Sequence, residues 1–321
     1  MNIIQLREWA IDKSRFTMPQ DYLTFATAFM EWRSNGGMQA ELVAKNDHRY
    51  RFIQFKEEAG FQISRPINSD IFYDLENFEA ARATFIETLQ ACADGEEVGA
   101  EGRRALQRVI YTSQQTIGAA LDALPVGASN QARKVNGDLF ERFIGLLVEE
   151  CGAECHSGVL AVPVKDENNT ELFKMNYQHD LMVEVKGDLK AIGSVKTSSK
   201  DRLDKVFIDK FLYNRLTSVE LPHFAIFLHD VQRKGKEPNY GISQTFLRGH
   251  FKGYTVKLNP LDGVFYCDLL PMMESDPLLR QHIRSIDHFF VDALPKFIES
   301  PVAGPKDAKE SSEEDILDAT D

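Results

Sequence analysis

Two side chains, Asp180 and Lys196, could together act on a phosphodiester if a fold brought them into contact. A carboxylate suits Mg²⁺, which prefers hard oxygen ligands and keeps several waters. The ion would polarise a phosphate and activate a water. An ammonium beside it would stabilise charge on the attacking water or on the pentacovalent phosphate. The plain alternative is a cross-strand ion pair, worth roughly 0.2–1 kcal/mol.

The elements that must position this pair read as a β-hairpin. Residues 180–186 (DLMVEVK) and 191–197 (AIGSVKT) are aliphatic and β-branched, and Gly187-Asp188-Leu189-Lys190 between them carries turn chemistry. A turn centred on Asp188 sets Asp180 directly opposite Lys196, on the same face at the open end of the hairpin. The step depends on register, because a slip of one residue turns a partner to the other face.

Beyond Lys196 a polar link, Thr197-Ser198-Ser199-Lys200-Asp201-Arg202, leads into LDKVFIDKFLYNRL, read as a helix over 201–216. Seven residues separate Arg202 from Asp209, so on a helix they point within about 20° of each other. Leu203, Phe207 and Phe211 form a different, apolar side. Asp209 could therefore return as a second carboxylate for the metal. Lys200, Asp201 and Arg202 would stand at the helix N-terminus, from which side chains can enter a DNA groove.

Asp180…Ser194-Val195-Lys196 resembles the PD-(D/E)XK nuclease motif in its rearranged form, with Ser194 where the usual acid stands. Lys196-Thr-Ser-Ser-Lys200-Asp201-Arg202, with an acid thirteen residues after Lys196, is similar to type II restriction endonucleases that read CCGG, CCNGG or CCWGG, the EcoRII and NgoMIV group. The resemblance spans about residues 134–230. It implies that Asp180 and Asp209 bind the metal and that Lys196 orients or activates the water. It further implies that Lys200 and Arg202 donate to guanine while Asp201 accepts from cytosine. It also implies an acid beside the metal site on the preceding helix, where Glu141 stands; a solvated helix charge is the other reading of Glu141. Two positions depart from the pattern. His179 replaces the usual Pro, and Asp209 replaces the usual Glu, one methylene shorter. Ser194 reads as a structural hydroxyl or a water partner. Glu184-Val185-Lys186 is a literal E-x-K, but it lies on the same strand as Asp180 and would need Asp166 or another acid as partner.

Composition narrows the class. The chain has 321 residues, 43% of them hydrophobic, and a net charge of −12, which argues against a general DNA-coating protein. The charge is uneven. Residues 186–215 hold eight basic side chains against four acids, whereas 305–321 hold seven acids against two lysines. A basic window on an acidic body suits a protein that grips DNA at one cleft. No apolar run approaches the roughly 20 residues of a membrane span, and the N-terminus lacks a signal-peptide layout. Four cysteines in a chain this long point to a reducing cytoplasm. Cys151-x-x-x-Cys155-His156 has no second ligand cluster to complete a zinc site.

The expected fold class is α/β: a PD-(D/E)XK core of order α-β-β-β-α-β, with a central mixed sheet flanked by helices and a mostly helical N-terminal region. Residues 1–125 are read as that region, serving dimerisation or DNA clamping, with Arg33, Arg49 and Arg51 as candidates for the latter. Helices are expected over 21–32, 77–93 and 103–124, and 48–55 alternates like a strand. Residues 126–300 are read as the core: helix 137–150, strand 159–164, the hairpin, helix 201–216 and buried strand 223–229. A basic turn follows over 232–239, then strands at 256–258 and 264–269, then a helix over 277–298. Residues 301–321 read as a disordered acidic tail.

The expectation is a Mg²⁺-dependent type II restriction endonuclease acting on double-stranded DNA at a palindromic site with CC:GG pairs. Such a site implies a homodimer or a pair of dimers, and a cognate methyltransferase that acts on the same site without stable binding. Two rivals remain: another nuclease of the same fold, or a DNA-binding protein on a degenerate nuclease scaffold.

Overall fold

The computed structural model describes residues 1–56, 63–125, 127–168, 170–236 and 238–300. The acidic tail therefore lies outside the described residues. The chain opens with helices α1 (Ile3–Ile11) and α2 (Pro19–Ser34), then a small antiparallel sheet of β1 (Met38–Val43), β2 (Tyr50–Phe55) and β3 (Ile67–Asn68). Proline at the first position of α2 starts that helix without losing a hydrogen bond, and Asp21 caps it by accepting from Thr17 N at 2.7 Å and Met18 N at 3.0 Å. Helices α3 (Leu75–Asp94), α4 (Ala100–Asp122) and α5 (Ser129–Glu150) follow. Asp74 caps α3 at one end, and Gly95, at φ 70°, ends it in the left-handed conformation that glycine adopts without cost.

The second half builds one mixed sheet. Strands β4 (Glu154–Lys165), β5 (Glu171–Val185) and β6 (Asp188–Lys196) run antiparallel. Helix α6 (Leu203–Thr217) crosses over to β7 (His223–Phe227), parallel to β6. A two-stranded ribbon, β8 (Val231–Lys234) and β9 (Gly241–Gln244), comes next, then α7 (Arg248–Lys257) and β10 (Gly263–Tyr266). The short helices α8 (Pro271–Ser275) and α9 (Leu279–His282), strand β11 (Ile283–Ser285), a π-helical turn (Phe289–Ala293) and α10 (Leu294–Glu299) complete the described chain. The six-stranded sheet runs β11-β10-β7-β6-β5-β4, so α5-β4-β5-β6-α6-β7 has the expected order.

One hydrophobic core joins α1–α5 to the sheet through Leu181, Val183, Val195, Phe224 and Ile226. A second gathers Leu203 and Phe207 of α6 with Phe227, Tyr266 and the β2 residues Tyr50 and Phe52. The N-terminal region thus packs directly against the sheet and helices that carry the site.

Three elements differ from the sequence reading. The hairpin turn is Lys186-Gly187, both left-handed at φ 54° and 80°, as a two-residue primed turn requires. Its register pairs Leu181 with Gly193, after an irregularity between Val183 and Glu184, so the turn is not centred on Asp188. Residues 256–258 are not a strand, because Val256 and Lys257 end α7, which buries Phe251 and Thr255 one turn apart. The helix expected over 277–298 is broken at Ile283, whose backbone pairs with β10 as the edge strand of the sheet. Apolar spacing survives that break, since Ile283, Ile286 and Phe290 are all buried, which is why periodicity alone read through it.

Candidate active site and DNA-reading turn

Asp180 and Lys196 meet because strands β5 and β6 part company. Their ladder ends at Leu181↔Gly193. On its other edge β5 is also irregular, between His179 and Met182. The Val195 N–H, past the end of the ladder, donates to Asp180 Oδ2 at 3.0 Å. The same oxygen lies 2.6 Å from Lys196 Nζ. The carboxylate thus fills the opening between two strands, satisfying a backbone donor and pairing with the ammonium at once. Gly193 permits the close packing just before this point: a Cβ there would lie 2.4 Å from the Phe224 ring.

Helix α5 supplies the third member. Lys196 Nζ donates to Glu141 Oε1 at 2.7 Å. Burial raises the Glu141 carboxyl above its ordinary pKa, and the Asp180 charge adds to this against the pull of Lys196. For Lys196, burial works to lower the pKa, but Asp180 and Glu141 outweigh it and the net shift is upward. The lysine is therefore held as an ammonium. Two carboxylates thus converge on the ammonium, and both are hard oxygen donors of the kind Mg²⁺ prefers.

Asp209 forms its ion pair with Lys205, one turn earlier on α6. Among the described residues no three His, Cys, Asp or Glu side chains gather closely enough to hold a metal. Asp209 instead influences His179, whose imidazole is buried. Burial holds His179 below its ordinary pKa, against the upward pull of Asp209 and Asp180. Ser194 is half-buried beside Ala225 of β7. Glu184 faces His156 at 3.5 Å near the closed end of the hairpin, and Lys186 lies in the turn itself, so the literal E-x-K sits away from Asp180.

The segment from Thr197 to Arg202 is a turn that precedes α6. The helix begins at Leu203 rather than residue 201, because Asp201 is left-handed at φ 58°. Aspartate tolerates this conformation better than most residues. The turn exposes Lys200, Asp201 and Arg202 side by side. Lys200 Nζ reaches Gln232 Oε1 on β8 at 3.2 Å.

What fixes this turn is a residue the sequence reading did not single out. Asp230, fully buried, accepts from Ser199 N at 2.9 Å, Ser199 Oγ at 2.5 Å, Ser198 Oγ at 2.8 Å, Thr245 Oγ1 at 3.3 Å and the Tyr266 hydroxyl at 2.7 Å. A buried charge is tolerable only when hydrogen-bonded in this way. The one signal in the sequence is an aspartate closing the apolar run HFAIFLHD, where a buried strand meets a carboxylate.

No protein-family model matches the chain, and no curated protein matches it. Among solved structures it is similar to the crystal structure of the type IIP restriction endonuclease Kpn2I. The TM-score is 0.66 at 16% identity, over 92% of this chain and 97% of that one. With its central mixed sheet flanked by helices, the chain has a restriction-endonuclease-like fold.

Proposed function

We propose that this protein is a type II restriction endonuclease, Mg²⁺-dependent, that cleaves double-stranded DNA at a palindromic site containing CC:GG pairs. The observation that carries the reading is the joining of the Asp180–Lys196–Glu141 cluster to Lys200-Asp201-Arg202 by one short turn. The likeness to a type IIP restriction endonuclease supports it.

In this reading Asp180 and Glu141 hold the ion, with Asp209 contributing only if α6 or its side chain moves. Bound there, Mg²⁺ would polarise the scissile phosphate and lower the pKa of a water. Lys196, kept charged by its two carboxylates, stabilises negative charge as the phosphorus becomes pentacovalent. Lys200 and Arg202 donate to guanine O6 and N7, and Asp201 accepts from cytosine N4. A palindromic site calls for two copies related by a two-fold axis, as a dimer or a dimer of dimers. A methyltransferase of the same specificity would protect the host site.

Digestion of a sequenced plasmid with Mg²⁺ tests this directly. Discrete fragments with common ends are expected, and smears or structure-dependent nicks would favour a repair-type nuclease. Lys196→Ala should abolish cleavage and keep specific binding. A wild-type protein that binds specifically without cutting would identify a degenerate nuclease scaffold, a reading favoured by Ser194 in place of an acid and by Asp209 lying outside the cluster.

A further inference from the structure

A cleft of about 590 Å³ opens beside the connection between β1 and β2, lined in part by Lys45, Asp47, His48, Arg49 and Arg51. We propose that this cleft is a second DNA-contacting site, which reads the base pairs flanking those contacted by Lys200-Asp201-Arg202. This rests on the nuclease reading above and extends it to the N-terminal region.

Asp47 and Arg49 are locked as a forked pair, with Arg49 Nε to Asp47 Oδ1 at 3.0 Å and Nη2 to Oδ2 at 2.6 Å. Together they present a carboxylate acceptor and a guanidinium with unused donors. These are the groups that match cytosine N4 and guanine O6/N7 in a major groove. Lys45 and His48 are exposed and make no ion pair among the described residues. They are placed to meet phosphates.

The cleft is fastened to the reading turn along two routes. The side chain of Asn46 bonds both to Ile242 N and to Ile242 O of β9, each at 2.8 Å. The neighbouring Gly241 makes room, since a Cβ there would lie 2.5 Å from Asn46 Oδ1. Strand β9 pairs with β8, and β8 holds Lys200 through Gln232. A two-stranded ribbon therefore joins the cleft to the turn. The other route runs underneath. Tyr50, next to Arg49, donates to the buried Asp268 at 2.9 Å, and Asn68 donates to it at 2.7 Å. Two residues before Asp268, Tyr266 donates to Asp230, which holds the reading turn.

The test compares cleavage of the wild-type site with cleavage of sites altered one pair at a time, inside and outside the CC:GG pairs. Wild-type protein is expected to discriminate at flanking positions. Arg49→Ala and Asp47→Asn should each lower that discrimination about ten- to a hundredfold, with discrimination within CC:GG kept. Melting curves confirm folding, and Asp47→Asn preserves shape where Arg49→Ala does not fold. The exposed-side-chain variants Lys45→Ala and His48→Ala should weaken binding to all sequences, and Lys45→Ala should reduce the salt slope by about one. Unchanged flanking discrimination in both Arg49→Ala and Asp47→Asn overturns the proposal, as does a wild-type enzyme indifferent to flanking pairs. A wild-type protein that cuts no DNA instead overturns the nuclease reading on which this one stands.

Discussion

Asp230 presents two oxygens to five donors, and asparagine would present one oxygen and an amide that meets donors with a donor. Asp230→Asn should therefore leave buried groups unpaired, destabilising the fold by about 1–3 kcal/mol as read from urea midpoints. Specific DNA binding should fall further than nonspecific binding, because the Ser198–Ser199 turn loses its anchor. A variant as stable and as specific as wild type would show that the turn is held elsewhere. By contrast, Arg202→Ala should cost specific binding about 1–3 kcal/mol with little change in stability, since its side chain is exposed. The difference marks what sequence can reveal at this scale. Asp180, Lys196 and Lys200–Arg202 could be picked out because their spacing is local. Asp230 serves Ser198, Ser199, Thr245 and Tyr266 at once, a convergence that no single stretch records. Glu141 was legible only as an acid on the right helix, and Asp209 could be given a direction on α6 but not a partner.

Elements were legible where one face is buried against one neighbour, and misread where pairing overrode periodicity. The hairpin was found, but its turn was placed one to two residues late because Lys186 carries no turn signal of its own. Asp180 and Lys196 still meet because the strands separate beyond Gly193, not because they oppose each other in a ladder. Gly193→Val tests the packing at that point. The Phe224 ring is itself held by Phe289 at 4.8 Å and Phe297 at 5.7 Å, so it has little freedom to withdraw. Overpacking of this kind typically costs about 1–3 kcal/mol, and a drop in melting temperature with parallel loss of cleavage is expected. A second element-scale expectation concerns α4 and the C-terminal turn. Arg103 forks onto Asp292 at 2.7 and 2.9 Å and lowers its carboxyl to about 2, with His288 assisting. A depressed carboxyl stabilises the folded state fully above its ordinary value of about 3.9 and loses that contribution as pH falls toward 2. The destabilisation by Arg103→Ala, read from urea midpoints, should thus shrink between pH 5 and pH 2.5. Partial exposure keeps it modest at any pH.

For the whole molecule, charge is the governing quantity. In the function proposed above, a chain of net −12 would bind DNA through a restricted basic surface, and its affinity should fall steeply with salt, in proportion to the phosphates engaged. The seven acids of residues 305–321 contribute much of the opposing charge. Removing residues 301–321 should leave cleavage intact and modestly raise nonspecific affinity; an inactive truncation would show that this segment takes part in the site. The whole-molecule plan was readable from the sequence for the core order α5-β4-β5-β6-α6-β7, because a buried parallel strand and its crossover helix have distinct patterns. It was less readable for residues 1–125, where a three-stranded sheet lies among the helices and shares a hydrophobic cluster with α6.

The turn between β6 and α6 has one more implication. Lys196 and Lys200 lie four residues apart, and the link between them is held by the single side chain of Asp230, through the Ser199 N–H and the hydroxyls of Ser198 and Ser199. In the proposed function, a base pair that seats poorly against Lys200 or Arg202 would tug on the very peptide units that aim Lys196. Fidelity would then be enforced twice, once in affinity and again in the rate of bond breakage. By the same logic, a new target preference could not be grafted onto this protein by exchanging that turn alone, because the transplant would carry the cutting machinery out of alignment with it.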